Sequence, residues 1–225
     1  MTQQRPEALT CFWLGMDHPE FAKLYWQILC ALPVGYSVID AGAHIGYYAL
    51  MAAHRLRQVG AGLVFAFEPH PINFADLQRN QQLNNMSNLI QKAVADQTTQ
   101  MRLFSGPVSG THSLRQFPYH NDSYEVECIA LDDFIIDLIT IFGQVKIGLI
   151  KLDIEGAELL ALRGAQGLIE RDKPYILYEE NEESTKYFGH NIKDIRSFLE
   201  SLNYKIYPII GKMVNDAVAI PKDII

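Results

Sequence analysis

Short aliphatic runs alternating with helical segments predict an α/β fold: a mostly parallel sheet with helices on both faces and an antiparallel C-terminal hairpin. Two observations carry this. The runs Tyr36–Ala41, Leu63–Phe67 and Ile147–Leu152 each end at a glycine or an acidic residue, and apolar residues at helical spacing follow them. Near the end, the patterns at Tyr204–Ile209 and Met213–Ile220 flank Gly211 with no helix between them, which reads as a hairpin.

The elements follow in order. Phe12 to Leu32 carries Phe21, Leu24, Tyr25, Ile28 and Leu29 at spacings of three and four, an amphipathic helix. Residues 1–34 are thus expected to be a helical extension capping the core, and residues 35–225 a single domain, because 225 residues suit one full-sized domain better than two. Tyr36–Ala41 is the first strand, Gly42 opens a tight turn, and Ile45–Leu56 is a helix. Leu63–Phe67 ends at Glu68, and Pro69 and Pro71 turn the chain into a helix that runs to about Leu83. Asn88–Val94 reads as a third strand and Gln100–Phe104 as an extended segment. Residues 105–123 contain Gly106, Pro107, Gly110 and Pro118 with few aliphatic anchors, and are expected to be a mobile or substrate-facing insertion. Tyr124–Ile129 alternates weakly, and a short apolar helix covers Phe134–Ile141. Ile147–Leu152, aliphatic except for Lys151, reads as a buried strand, with one helix over Ala157–Ile169. Strand Tyr175–Tyr178 and helix Asn191–Leu202 precede the hairpin. The acidic run Glu180 to Glu183 reads as mostly solvated, with Glu179 apart from it at the strand end.

Composition narrows the function. Hydrophobic residues make up 48% and charged residues 20%, as in globular chains. Lys and Arg number 19 against 26 Asp and Glu, a net charge of −7, so no nucleic-acid partner is expected. Cys11, Cys30 and Cys128 lack the number and spacing of a disulfide framework or zinc cluster, and the expected setting is cytoplasmic. The opening MTQQRPEALT has no basic-then-apolar pattern, and no segment reaches the roughly 18 apolar residues of a membrane span. The apolar face of the first helix suits either capping or a homodimer.

The chemistry-bearing residues gather at strand ends. Asp40-Ala41-Gly42-Ala43-His44-Ile45-Gly46 sits where the first strand meets its helix, the place where open α/β sheets bind ligands. Gly42 and Gly46 let a ligand approach the backbone, free N–H groups at the helix start suit a carboxylate, and Asp40 suits an amino group. The same glycines also suit a purely structural turn. The pyrophosphate pattern GxGxxG is absent, which disfavours a dinucleotide. Glu68, at the end of the next strand, can accept both hydroxyls of a ribose, or can serve as a solvated cap.

Five segments in order, VIDAGAHIGYYAL, FAFEPHP, KAVAD, IALDDF and IKLDIEGAELLALRGA, resemble the FkbM family of S-adenosylmethionine-dependent methyltransferases. They run from Val38 to beyond the middle of the chain, and the likeness extends to Tyr178. The resemblance implies a class I methyltransferase (Rossmann-like) fold in which Asp40, Gly42, His44 and Gly46 surround the methionine portion of S-adenosylmethionine and Glu68 holds its ribose. His44 stands where the family more often has asparagine. Ala93 to Asp96 match the segment beside adenine, where Val94 would pack on the ring and Asp96 would pair its edge, unless Asp96 is a turn acid.

Lys151-Leu152-Asp153-Ile154-Glu155-Gly156-Ala157-Glu158 is the second landmark. A hydroxyl acceptor must lose its proton as the new carbon–oxygen bond forms, and Asp153 and Glu155 are the expected bases. An ion-paired core edge is the other reading of this block. Ser109 to Leu114 resembles a family stretch that lies across the transfer pocket, with His112 as a base or as an exposed loop histidine. Asp40, Asp153 and Glu179 could converge on a divalent cation, but spacing leaves the metal unassigned. The function so read is O-methyl transfer to a small-molecule hydroxyl, such as a saccharide or secondary-metabolite intermediate. The other class is a noncatalytic adenosine-ligand module on the same fold.

Overall fold

Side chains alternate along a strand, so Val38 and Ile39 face opposite sides of their sheet, and both are fully buried. Only a sheet covered on both faces allows that. The computed structural model describes residues 19–84, 88–210 and 215–224. Within them lie α1 (Pro19–Ala31), β1 (Tyr36–Ala41), α2 (Tyr47–Val59), β2 (Val64–Phe67) and α3 (Pro71–Asn84). Next come β3 (Leu89–Ile90), β4 (Ala93–Val94), β5 (Thr99–Ser105), β6 (Asp122–Ile129) and α4 (Leu131–Phe142). The rest are β7 (Lys146–Leu152), α5 (Glu158–Arg163), α6 (Gln166–Asp172), β8 (Tyr175–Glu179), α7 (Glu182–Tyr187), α8 (Ile192–Ser201), β9 (Tyr204–Ile210) and β10 (Asn215–Pro221).

Seven strands form the main sheet in the order β3-β2-β1-β7-β8-β10-β9. The first five are mutually parallel, while β10 runs antiparallel to both β8 and β9. The hairpin therefore lies where the sequence predicts it, although Gly211 and Met213 fall outside the described residues. On one face, Ile39, Phe65, Phe67 and Ile150 pack with Leu131, Leu162, Leu168 and Ile195 of α4, α5, α6 and α8. On the other, Val38, Val64 and Leu149 pack against α1, α2 and α3. Here Phe21 and Tyr25 of α1 meet the Tyr48 ring edge-on at 5.2 and 5.0 Å. The part of the expected first helix that precedes Pro19 lies outside the described residues.

Three expectations need correction. The single strand expected over Asn88–Val94 is two short ones: β3 pairs with β2, and β4 pairs with β6 in a separate three-stranded sheet ordered β4-β6-β5. The expected helix over Ala157–Ile169 is broken between α5 and α6. The break falls at Gly164, where a Cβ would sit 2.2 Å from the carbonyl oxygen of Ala95, so the chain passes there without a side chain. Glu180, expected to be solvated, is buried and receives a two-point contact from Arg196 at 2.8 and 2.6 Å, with the Tyr178 hydroxyl donating at 2.9 Å. That clamp fastens α8 to the end of β8.

Candidate active site

The carboxyl ends of β1, β2, β7 and β8 point the same way, and their turns enclose one cavity of about 310 Å³. At the end of β1 the chain turns sharply at Gly42, with a φ of 75°. Gly42 and Ala43 both donate backbone N–H bonds to the Phe67 carbonyl, at 3.0 and 2.9 Å, so the turns after β1 and β2 are tied together. His44 adopts a φ of 52°, in the left-handed region that non-glycine residues seldom adopt. That pose aims its N–H at Glu68 Oε2, 2.8 Å away, while the N–H of His70 donates to Oε1 at 2.9 Å. Burial pushes the Glu68 carboxyl up to about 7, against the pull of these two donors and of the Asn73 side chain.

Beneath this turn lies a buried charge pair. Lys151 Nζ sits 3.1 Å from Asp40 Oδ1, 3.4 Å from Asp153 Oδ2 and 3.3 Å from the Gly42 carbonyl oxygen. Asp40 and Lys151 are 0% and 2% exposed, whereas the Asp153 side chain is 49% exposed. Burial alone would lower the Lys151 ammonium, but the two carboxylates outweigh it and raise it. Burial likewise raises Asp40, with Lys151 opposing. The convergence of Asp40 and Asp153 expected for a metal is thus occupied by an ammonium, and among the described residues no group of three His, Cys, Asp or Glu side chains suits a metal ion. Asp40 therefore supports the turn from below and does not line the cavity.

The stretch between β5 and β6 forms the cavity roof, fastened at several points. His44 Nε2 and Ser109 Oγ lie 2.9 Å apart, Asn73 Nδ2 donates to the Ser109 carbonyl at 2.8 Å, and Ser113 Oγ donates to the Glu155 carbonyl at 2.8 Å. Ser109, Ser113, Leu114 and Phe117 are buried, so this stretch is a packed wall facing the cavity. His112 stacks on His70 with ring centres 3.8 Å apart, and its Nδ1 accepts the Gly106 N–H at 3.1 Å. Burial and the neighbouring His70, His44 and His120 push its imidazole down to about 3. A neutral ring whose Nδ1 accepts must carry its proton on Nε2. His112 is therefore a hydrogen-bond donor at neutral pH, and the base expected there lacks a free lone pair.

Of the residues singled out in the sequence, Gly42, His44, Glu68, Val94, His112, Asp153 and Glu155 line the cavity. Gly46 lies behind it, where it begins α2 against Leu77. Asp96 is exposed and not in the lining, because the chain leaves the cavity wall after Val94. Glu155 takes a φ of 55°. Glu179 also lines the cavity, and burial together with Asp153, Glu155, Glu158 and Asp216 pushes its carboxyl up to about 10. Ser109, the start of the stretch that resembles the family segment across the pocket, is in the lining, and so is Asn73, which gave no sequence signal beyond its place at a helix start.

A cavity at the strand carboxyl ends of a mostly parallel sheet closed by an antiparallel hairpin defines a class I methyltransferase-like fold. The chain belongs to the FkbM methyltransferase family: residues 40–206 match the model of the methyltransferase FkbM domain. It is 29% identical over 160 residues to the 31-O-demethyl-FK506 methyltransferase FkbM of Streptomyces tacrolimicus, covering 57% of this chain and 59% of that one. With Methyltransferase 1 of Beauveria bassiana it shares 26% identity over 156 residues, 56% of this chain and 57% of the relative. The match thus spans less than two thirds of either curated relative. The fold resembles the crystal structure of methyltransferase FkbM from Methylobacillus flagellatus, with a TM-score of 0.58 at 20% identity, over 82% of this chain and 43% of that one. It also resembles an SAH-bound methyltransferase of Podospora anserina, with a TM-score of 0.51 at 11% identity, over 92% of this chain and 80% of that one. No helix among the described residues is long and apolar enough to cross a membrane.

Proposed function

We propose that residues 35–225 form a single domain that transfers a methyl group from S-adenosylmethionine to a hydroxyl of a small molecule. The observation that carries the reading is the meeting of Gly42, Glu68 and Asp153, from three separate strand ends, around one cavity. Its volume falls within the range of small-molecule sites. The residues present fit the donor: Gly42 packs the β1 turn onto the Asp153 carbonyl and so shapes the cavity floor, Glu68 has a second lone pair on each oxygen for ribose hydroxyls, and Val94 with Phe67 and Leu103 offers an apolar wall for a purine. One curated relative is by name a methyltransferase of 31-O-demethyl-FK506, which supports an oxygen acceptor.

When bound, S-adenosylmethionine supplies a methyl carbon that is already electrophilic. The protein's part is then alignment and proton removal. Asp153 is placed for the second task, since it lines the cavity, is half exposed, and is steadied by Lys151 at 3.4 Å. Glu155 flanks it, held by the Ser113 bond to its own carbonyl. The His112 ring packs in the same wall, stacked on His70. Asp40 and Asp153 are engaged with the Lys151 ammonium, and no step is assigned to a metal.

The test is an acceptor screen over hydroxyl compounds with S-adenosylmethionine, read by S-adenosylhomocysteine release and by a product heavier by one methyl. With an acceptor found, losing the base in Asp153→Asn or Glu155→Gln is expected to slow transfer by about a hundredfold or more, with donor affinity retained. Unchanged rates in both variants would reject the pair. Tight donor binding without product across the panel would favour the noncatalytic module.

A further inference from the structure

The roof crosses the cavity between two anchored serines. Ser113 exchanges backbone hydrogen bonds with Phe104 at 3.0 and 2.8 Å, and its hydroxyl donates to the Glu155 carbonyl. Ser109, 1% exposed, is held at the Glu68 end: Asn73 Nδ2 donates to its carbonyl, and its Oγ lies 2.9 Å from His44 Nε2. Between the two serines, Gly110, Thr111 and His112 line the cavity. His44 lines it too, and its backbone N–H donates to Glu68 Oε2 at 2.8 Å. One residue therefore touches both the roof, through its ring, and the carboxylate read as the ribose acceptor, through its main chain.

The main chain does not by itself require histidine here. His44 takes a φ of 52°, and apart from glycine, asparagine is the residue that adopts this left-handed conformation most readily. The bond from its N–H to Glu68 is open to any residue but proline. What the imidazole adds is reach, since the amide of asparagine ends at the level of the ring's Nδ1, short of Nε2. We propose that His44 is a positioning residue whose side chain latches the roof at Ser109, so that the roof and the Glu68 turn stand at the spacing the methyl donor needs before it enters. The inference rests on reading the cavity as the S-adenosylmethionine site.

A residue that only shapes the turn and a residue that latches the roof rank the same variants in opposite orders. If the turn alone matters, His44→Asn holds the donor at least as well as wild type, and His44→Gln, less suited to the left-handed conformation, is the weaker of the two. With the latch, the order reverses. Glutamine brings its amide to the level of Nε2 and carries both a donor and an acceptor, so it can meet the Ser109 hydroxyl whichever of the two atoms donates. Ser109→Ala removes the hydroxyl, and the cost of asparagine at position 44 should vanish in that background. A direct contact between the imidazole and the donor would instead keep that cost when Ser109 is alanine.

The experiment is calorimetric titration of the full chain with S-adenosylmethionine for wild type, His44→Asn, His44→Gln, Ser109→Ala and the double variant His44→Asn/Ser109→Ala, each shown by thermal unfolding to be folded. Expected are affinities weaker by about three- to tenfold in His44→Asn and in Ser109→Ala, the net contribution of one hydrogen bond. His44→Gln should lose less than either, and the double variant no more than Ser109→Ala alone. Affinity in His44→Asn equal to or above wild type, His44→Gln no better than His44→Asn, or additive losses in the double variant would overturn the proposal. Should the variants at position 44 fail to fold, Ser109→Ala decides: wild-type affinity there also overturns it. Failure of the folded wild-type chain to bind the donor would instead remove the donor reading itself, and this inference with it.

Discussion

Replacing Lys151 by methionine is expected to destabilise the chain by about 3–5 kcal/mol at neutral pH, the cost of leaving a buried charge without its partner. Asp40 is fully buried on β1, and its Oδ1 lies 3.1 Å from the ammonium. Methionine fills much of the volume but leaves that carboxylate uncompensated. Burial already raises Asp40 with Lys151 present, and removing the lysine raises it further. The sign follows: a carboxyl whose folded pKa is raised weakens the fold as pH climbs above its ordinary value of 3.8, and the penalty disappears below it. Urea denaturation of Lys151→Met should therefore show a deficit largest at neutral pH and shrinking toward pH 4. The double variant Lys151→Met/Asp40→Asn should recover most of the loss. A deficit independent of pH would mean that lost packing, not the unpaired charge, is responsible.

Gly42→Ala is expected to abolish donor binding. The added methyl would stand 1.9 Å from the Asp153 carbonyl oxygen, and the glycine's φ of 75° is itself strained for alanine. The strain alone costs about 1–3 kcal/mol. Gly60 provides the control, since it has the same φ of 75° but no atom within 4 Å of an added Cβ. Gly60→Ala should show the strain and keep donor binding. Gly42→Ala must also push the β1 turn from the β7 turn, the contact that closes the floor of the cavity. Equal donor affinity in the two variants, measured by titration, would show that this contact does not shape the site.

The turns around the cavity were legible because their signals are local. A glycine after an aliphatic run, an acid at the next strand end and a charged block after a third mark the carboxyl edge of a parallel sheet, and Gly42, Glu68 and Asp153 do share a cavity. The partners of Asp40 were not legible. Lys151 is distant in sequence, and only the β1–β7 register, which pairs Asp40 with Lys151, puts an ammonium where the sequence left room for a metal. The second sheet was hidden for a similar reason. Leu89–Ile90 and Ala93–Val94 look like one strand until the pairing of Ala93 and Val94 with Cys128 and Ile129 draws them into another sheet. The 105–123 stretch looked loose because glycine and proline mark it, yet Leu114 anchors it in a satellite core with Leu103 and Val126, and Phe117 is buried, which composition could not assign. His112 was found by residue type. Its proton placement depends on the Gly106 N–H, which no spacing rule encodes.

The most direct trial of the whole account is equilibrium titration of S-adenosylmethionine into the wild-type chain and into Glu68→Ala, each shown to be folded. Saturable binding to wild type, weakened at least about tenfold in Glu68→Ala through loss of charge-assisted hydrogen bonds, is the predicted result. No binding to folded wild type, or the same affinity in both proteins, would contradict it.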